Sequence, residues 1–195
     1  MDYKEQRRNQ SRETERKILN AALELMRRRG FDKVAVRDIC REAGITTGAF
    51  YHHFRSKEAL LESGFAPLDD YMARELEGHE KEPPAGRLWC ILSAYGRFME
   101  HSRELIGRYY QRRIAEPGSK SMDSTRYTLR AMLECFRQAE REGWLATGHT
   151  PEWVADFCFR HFRGVVIDWT LHSYSYPLLP KMQEDYQLFT TLFVG

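Results

Sequence analysis

Residues 44–54, GITTGAFYHHF, bring together side chains that can contact a phosphate group or the edge of a base. Threonine, tyrosine and histidine can each donate a hydrogen bond to a phosphate oxygen, and the segment holds neither an acidic residue nor a lysine. A basic stretch, RSK at 55–57, follows directly. These residue types indicate a surface that binds nucleic acid, with an irregular surface turn as the alternative.

A helical wheel separates these side chains into two faces. At about 100° per residue, one group of side chains from Thr47 onwards shares an arc of roughly 140°. This group comprises Thr47, Gly48, Tyr51, His52 and Arg55. The opposite side carries Ala49, Phe50, His53 and Phe54. The segment is therefore predicted to form an amphipathic helix whose polar face is suited to DNA.

Several residues on and near this face are suited to a specific contact with DNA. Thr46 is a good N-cap, and its hydroxyl can also reach a phosphate, beside the free N–H groups of the helix start. Gly48 has no side chain to hold the helix away from base edges, and Thr47 can bond a base or touch a thymine methyl group. Arg37, in the preceding helix, is placed for a bidentate guanine contact, and Lys57 for a phosphate contact. Together these positions describe a recognition helix.

Two further predicted helices position this one. The first runs from the N-cap Ser11 to Arg29, after a polar arm, residues 1–10, that we expect to be frayed. The second covers residues 36–43, where apolar side chains recur at i, i+3, i+4 and i+7, and Gly44 ends it. Only the dipeptide Ile-Thr then separates it from the recognition helix, which is the spacing of a helix-turn-helix.

The rest of the chain predicts further helices and no strands. A fourth helix begins beyond Ser56, and later helices cover residues 88–99, 122–142, 152–172 and a last segment ending near Phe193. We therefore predict an all-α protein. An N-terminal three-helix helix-turn-helix domain occupies residues 1–56, and a C-terminal helical bundle for effector binding and dimerisation occupies residues 57–195.

The segment VRDICREAGITTGAFYHHFRSKEALL, residues 36–61, resembles the DNA-binding region of the TetR/AcrR family of bacterial transcriptional regulators. The similarity covers about residues 12–62, and only the general helical plan is shared beyond them. It implies a homodimeric repressor that binds a palindromic operator in double-stranded DNA and is released by a small-molecule effector. It also implies DNA contacts for a set of side chains. These are Arg37, Thr46, Thr47, Gly48, Tyr51, His52, His53 and Lys57.

Two positions complicate the transfer of the family pattern. His53 lies on the packing side of the wheel, so packing against Phe50 and Phe54 is an equal alternative to a phosphate contact. Pro67 falls inside what should be a continuous fourth helix, where it removes a backbone hydrogen bond and predicts a kink or a break. In the family this helix links the ligand site to the DNA-binding domain, so Pro67 predicts a hinge.

Aromatic side chains are concentrated in residues 88–172, where an effector pocket is expected. At helical spacing such rings are also typical of an ordinary core. The pocket candidates are Phe98, Tyr110, Arg113, Phe136, Phe162 and Arg163. Arginine is included because it can bind an acidic effector.

The helices predicted at 152–172 and 178–193 are the most apolar, which favours a four-helix interface between two copies of the chain. The interface candidates are Phe157, Gly164 and Leu171. In the first of these helices His161, Asp168 and His172 share a stripe at i, i+7 and i+11 and could hold a metal. A hydrogen-bond network at the dimer interface explains this stripe as well, and we predict no metal site and no cofactor.

Charge is unevenly spread along the chain. Residues 1–57 carry 14 Lys and Arg against 8 Asp and Glu, whereas the whole chain has a net charge of only +2. A basic N-terminal third fits a polyanionic partner, although a solvated charged helix is the alternative.

The cysteines and the sequence motifs predict the cellular compartment of the protein and whether it is an enzyme. The cysteines Cys40, Cys90, Cys135 and Cys158 form no C-x-x-C pair and are predicted to be buried free thiols. Free thiols indicate a reducing compartment, and the sequence shows neither an apolar leader nor a membrane-spanning run. We therefore expect a cytoplasmic protein without membrane contact. Motifs such as G-x-S-x-G and H-E-x-x-H are missing, so catalysis is not expected. The alternative function is a helix-turn-helix protein controlled by a partner, without a small-molecule effector.

Overall fold

The computed structural model describes residues 3–62, 66–115, 126–145 and 148–193. None of these residues forms a β-strand, which confirms the predicted all-α class. The helices are α1 (Tyr3–Arg29), α2 (Val36–Ala43), α3 (Thr47–His53), α4 (Ala59–Glu62), α5 (Ala66–Glu75), α6 (Pro84–His101), α7 (Arg103–Ala115), α8 (Tyr127–Arg141), α9 (Pro151–Leu171) and α10 (Leu178–Phe193).

The chain forms two compact units. The first unit contains residues 1–67 and 104–115, and the second contains residues 68–103 and 116–195. Almost all of α7 therefore belongs to the N-terminal unit, although the sequence analysis had assigned it to the C-terminal part of the chain. The functional division at residues 56 and 57 remains a prediction.

Helix α1 is longer than the sequence predicted. It begins at Tyr3, so residues 3–10 are helical and Ser11 lies in its interior; the predicted N-cap was wrong. The segment is rich in Glu, Gln and Arg, which favour helices without needing a buried face. An ion pair of 3.0 Å between Lys17 and Glu13, one helical turn apart, adds local support.

The first unit has a core built from α1, α2, α3 and α4, and α7 packs against it. Its fully buried members include Ile18 and Leu25 from α1, Ile39 from α2 and Phe50 from α3. Leu105 of α7 packs against this same cluster while remaining partly exposed. The apolar periodicity that predicted α1 and α2 is thus used to hold α3 in place.

The second unit is a bundle of α6, α8, α9 and α10. Leu92 of α6, Met132 of α8, Val154 of α9 and Leu178 of α10 are all inaccessible to solvent. Helix α6 starts at Pro84, earlier than predicted, because proline is well suited to the first position of a helix. The Pro-Pro segment therefore starts the helix as well as ending the preceding turn.

Pro67 is the second described residue of α5. Helix α4 ends at Glu62 and α5 begins at Ala66, and residues 63–65 are outside the described ranges. The predicted kink or break at Pro67 therefore falls beside residues outside the described ranges and remains a prediction. Across the described part of the chain, no helix is long and apolar enough to cross a membrane.

Candidate nucleic-acid interface

The turn between α2 and α3 is built by local backbone bonds. Gly44 adopts φ 65°, a left-handed conformation that glycine accepts readily, and ends α2. Its N–H donates to the Arg41 carbonyl at 3.3 Å, and the Ile45 N–H donates to the Cys40 carbonyl at 2.9 Å. These bonds satisfy the last carbonyls of α2 and allow α3 to start after Thr46, as predicted.

Thr46 is the N-cap of α3. Its Oγ1 accepts a hydrogen bond from the Ala49 N–H at 3.1 Å. The hydroxyl proton of Thr46 remains available to donate to an anion, because a hydroxyl can accept and donate at once. The structure thus confirms the predicted cap and leaves the hydroxyl suited to its second predicted use.

Helix α3 has the two faces that the wheel predicted. Phe50 is fully buried and Phe54 is 3% exposed, whereas Tyr51 is 54% exposed. Thr47, Gly48 and His52 are exposed as well. The packing side holds the helix to the first unit and presents the predicted contact face to solvent.

Neither the packing around position 48 nor its backbone conformation requires a glycine there. A Cβ atom placed there would meet only Thr46 Oγ1, at 3.9 Å, and the backbone has an ordinary helical φ. Gly48 lies in the first turn of α3, and glycine favours a helix less than alanine does, by up to about 1 kcal/mol. Neither packing nor backbone conformation offsets this cost in the free protein.

The basic side chains near α3 differ in whether a carboxylate engages them. Arg41 pairs with Asp38 at 2.9 Å, and Arg28 pairs with Glu42 at 2.9 Å. Arg37 is exposed and forms no ion pair with another described residue. Its guanidinium is therefore available to an outside partner.

Lys57 and His53 are more constrained than the sequence suggested. Lys57 is half-buried, and its ammonium donates to the Phe31 carbonyl at 2.8 Å. His53 is also half-buried, with its ring 6.4 Å from that of Phe54 and 5.3 Å from that of His52. Their contacts with DNA stay predictions.

The predicted pocket residues are distributed over both units, and their common role in an effector pocket remains a prediction. Phe98, Phe136 and Phe162 are buried in the second unit, whereas Tyr110 belongs to the first unit. Arg163 is half-buried, and its guanidinium lies 5.6 Å from the centre of the Phe159 ring. The side chain of Arg113 lies outside the described part of the structure.

A small cleft does exist in the second unit, and Phe136 is the one predicted pocket residue that lines it. Its volume is about 20 Å³, which is room for about one water molecule. Its walls come from α6, α8, α10 and the segment after α8. They are Pro84, Ala85, Leu88, Cys135, Phe136, Ala139, Trp144, Leu145, Phe189 and Thr190. The cleft as it stands cannot enclose a ligand of ordinary size.

The predicted interface residues lie along the outside of α9. Leu171 is 73% exposed, and a Cβ atom at Gly164 would meet nothing within 4 Å. Phe157 is half-buried and stacks on Trp153 at 5.2 Å between ring centres. This face of α9 is available to a second chain, and dimerisation through it remains a prediction.

The histidine and aspartate side chains of the α9 stripe are held by hydrogen bonds within the chain. His161 Nε2 lies 3.1 Å from Asp185 on α10, and His172 Nδ1 lies 2.9 Å from the Asp168 carbonyl. The Asp168 carboxylate instead accepts from Tyr176 at 2.7 Å, and burial followed by this bond raises the pKa of Tyr176 to about 12. His172 Nδ1 also lies 3.4 Å from Asp168 Oδ1, so hydrogen bonds within the chain engage all three side chains, and a role at a dimer interface or in metal binding remains a prediction.

Cys90 departs from the prediction that all four thiols are buried. Cys40, Cys135 and Cys158 are buried, whereas Cys90 is half-buried. Its sulfur contacts His79 and Glu82, two residues that the sequence analysis did not single out. No helical spacing connects them, because His79 and Glu82 lie in the turn before α6.

The helix-turn-helix carries a specific similarity to known proteins. The family model of bacterial regulatory proteins of the tetR family matches residues 18–63, which include α2, the turn and α3. Residues 18–63 therefore carry the DNA-binding segment of the TetR family. The HTH-type transcriptional regulator UidR of Escherichia coli is 44% identical over 50 residues, or 26% of each protein. The chain thus matches about a quarter of the length of UidR.

Longer similarities extend over both units of the chain. The regulator TtgR of Pseudomonas putida is 26% identical over 192 residues, which cover 90% of this chain and 89% of TtgR. The crystal structure of the transcriptional regulator FadR from Bacillus subtilis in complex with stearoyl-CoA aligns with a TM-score of 0.66 at 18% identity. It covers 89% of this chain and 96% of FadR, and it shows a common fold.

Proposed function

We propose that the protein is a homodimeric transcriptional repressor that binds a partly palindromic operator through α3 and is released by an effector bound in its C-terminal part. The observation that carries the proposal is the exposed face of α3. It combines a glycine that the fold does not need with hydrogen-bond donors free to contact DNA.

Gly48 supports close contact with DNA. A helix that enters the major groove can approach base edges only if the residues facing them are small. The cost of a helical glycine of up to about 1 kcal/mol is offset if Gly48 permits that approach. The surroundings of Gly48 give no structural reason for glycine, since a Cβ atom there would meet only Thr46 Oγ1, at 3.9 Å.

The neighbouring residues divide into two roles. We assign Arg37 and Thr47 to base edges, because arginine can bind guanine through two hydrogen bonds and threonine can contact thymine. We assign Thr46, Tyr51 and Lys57 to phosphates, which fix the register of a protein on DNA without reading its sequence. His52 and His53 complete the contact set.

Dimerisation supplies the second recognition helix. An interface along α9 and α10 would be isologous, so each copy contributes the same surface. Two copies of α3 would then bind half-sites about 34–36 Å apart, or slightly more, on a partly palindromic operator. Leu171 and Gly164, both exposed in the single chain, are the proposed contacts.

Selection of bound duplexes from a random DNA pool tests this proposal and does not require a known operator sequence. An inverted repeat should be enriched, and an unenriched pool would contradict sequence-specific binding. On the selected duplex, Arg37→Ala should cost about 1–3 kcal/mol per half-site and relax the preference at one base pair. Arg41→Ala is the matched control, because it removes an exposed arginine of the same helix that pairs with Asp38.

The effector is the less defined part of the proposal. FadR binds stearoyl-CoA, so acyl thioesters are a reasonable first class to test by titration against the DNA complex. Coupling between effector and operator sites is typically about 1–3 kcal/mol and reciprocal, so operator DNA should weaken effector binding by the same factor. Mass spectrometry of material that copurifies with the protein would reveal a tightly held effector.

One observation favours the second candidate function, a DNA-binding protein controlled by a partner. The cleft in the second unit has a volume of about 20 Å³, whereas pockets for small ligands have volumes of roughly 300 Å³ or more. An organic effector would have to open this cleft or bind elsewhere in the chain. If operator affinity does not change with any ligand that binds, control by a partner becomes the better explanation.

A further inference from the structure

Three potential metal ligands meet at the turn between α5 and α6, within the second compact unit. His79 and Glu82 lie in this turn, and Cys90 lies in α6. Their ligand atoms all fall within 4.8 Å of one another. Cys90 Sγ is 3.6 Å from His79 Nδ1 and 3.7 Å from Glu82 Oε2.

These separations match the edges of a zinc coordination tetrahedron. Zinc binds sulfur at about 2.3 Å and nitrogen or oxygen at about 2.0–2.2 Å, so two such ligands at the tetrahedral angle lie about 3.6 Å apart. Both distances from Cys90 Sγ therefore agree with this expectation. His79 Nδ1 and Glu82 Oε1 are closer, at 2.7 Å, because a hydrogen bond joins them; a metal would replace that proton.

We propose that His79, Glu82 and Cys90 bind a divalent metal ion of the zinc class. A thiolate, an imidazole and a carboxylate form a ligand set that zinc accepts, whereas magnesium and calcium prefer sites made of oxygen. The ion would bridge the turn after α5 and the first half of α6. An ordinary hydrogen-bonded turn needs the His79–Glu82 pair, but it does not require a thiol beside it.

Charge and access are compatible with this ion. Binding would break the Cys90 S–H bond, release the proton to solvent and form a metal–sulfur bond, so that the thiolate and the Glu82 carboxylate together neutralise the two positive charges. Arg97, a cation further along α6, is engaged by Glu75 at 3.1 Å. The side chains of His79 and Glu82 are 39% and 40% exposed, which leaves a path for the ion and a fourth position for water.

Gly86 positions the carboxylate. A Cβ atom at Gly86 would lie 3.1 Å from Glu82 Oε2, the same oxygen that faces Cys90 Sγ. Gly86 precedes Cys90 by one helical turn, so both lie on the same side of α6. The missing side chain lets Glu82 fold over the start of the helix and reach the sulfur.

The test uses the full-length protein without a histidine tag, stripped of metal by a chelator and then dialysed. Titration with Co²⁺ should produce the ligand-field and sulfur charge-transfer absorption of a tetrahedral thiolate complex, saturating at about one ion per chain. Zn²⁺ should displace it, whereas Mg²⁺ should not. Absent thiolate absorption, or the same absorption in Cys90→Ala, would overturn the proposal.

Matched variants separate a site from nonspecific binding. His79→Ala and Glu82→Gln should each weaken zinc binding at least about tenfold, while the controls His101→Ala, on the same helix as Cys90, and Glu80→Gln, in the same turn, should not. Gly86→Ala removes no ligand and should still weaken binding about tenfold by displacing Glu82. Circular dichroism must show that each variant keeps its helices. Equal affinity in Gly86→Ala and the unaltered protein would overturn the positioning role of Gly86, and equal affinity in Glu82→Gln would overturn the role of the carboxylate.

Discussion

Lys57 and Phe31 are joined by two contacts in the first unit. The Lys57 ammonium donates to the Phe31 carbonyl at 2.8 Å and lies 4.4 Å from the centre of its ring. Arg108 of α7 lies 5.0 Å from the same ring and pairs with Asp32. An ammonium has three donors, so Lys57 can hold the Phe31 carbonyl and still offer a proton to phosphate.

Lys57→Ala should therefore affect both folding and DNA binding. Loss of the hydrogen bond and the cation–π contact should lower the free energy of unfolding by about 1–2 kcal/mol. Loss of a phosphate contact should weaken binding to all sequences and reduce the salt slope by about 0.9 for each contact. Denaturation and binding titrations at several salt concentrations measure the two effects, with exposed Lys33→Ala as the control. An unchanged salt slope would make Lys57 purely structural.

Gly48→Ala should change stability and DNA binding in opposite directions. The new methyl group meets only open space near Thr46, so helix propensity should raise the free energy of unfolding by about 0.5–1 kcal/mol. The same methyl group should hold α3 away from base edges and weaken operator binding. Because the variant is more stable, misfolding cannot explain lost affinity. Unimpaired binding would remove the argument for close approach at Gly48.

The same substitution at Gly96 should have the opposite effect on stability. A Cβ atom there would lie 2.7 Å from Met182 Sδ and 2.9 Å from Leu179 Cδ2, so Gly96 permits α6 and α10 to approach closely. Gly96→Ala should lower the free energy of unfolding by about 1–3 kcal/mol through overpacking. Chemical denaturation of Gly96→Ala beside Gly48→Ala tests both signs. A stabilised Gly96→Ala would contradict the tight α6–α10 contact.

The helix-turn-helix was predictable because its determinants are local. Gly44 ends one helix and Thr46 caps the next, and both signals lie within the segment that they shape. The start of α1 was missed for the converse reason. Ser11 is a suitable cap by residue type, but helix-favouring neighbours on both sides carry the helix through it.

The rest of the candidate sites depends on contacts between distant parts of the chain. No periodicity connects Lys57 to Phe31 or assigns α7 to the first unit, because these relations follow from tertiary packing. The pocket prediction selected aromatic residues by helical spacing, which does not separate a ligand cage from a core. His79, Glu82 and Cys90 meet through the turn in which Gly78 adopts φ 87°, a conformation that sequence spacing does not reveal.

Leu171 offers a test of the proposed dimer. Its side chain is 73% exposed in the single chain and is therefore open to contact with a second copy. Leu171→Glu should therefore weaken dimerisation by burying an unpaired charge at the interface, with little effect on the fold. Ile114→Glu is the control, because Ile114 is 68% exposed on α7 in the other unit. Analytical ultracentrifugation over a concentration series measures the effect, and a monomeric unaltered protein would contradict the dimer itself.

Cys90 should be the first thiol to react with an alkylating reagent, and its rate should depend steeply on pH. Burial, followed by the nearby Glu82 carboxylate, raises the pKa of Cys90 above its ordinary value. Since the thiolate is the reactive form, labelling at pH 8 should be slower than for an exposed cysteine and should rise about tenfold per pH unit up to the raised pKa. Burial raises the pKa of Cys135 to about 12, so this thiol should react only after unfolding. Peptide mass spectrometry after timed labelling gives each rate.

Zn²⁺ should protect Cys90 from labelling in the unaltered protein but not in His79→Ala, and equal protection in both would show that the metal acts elsewhere.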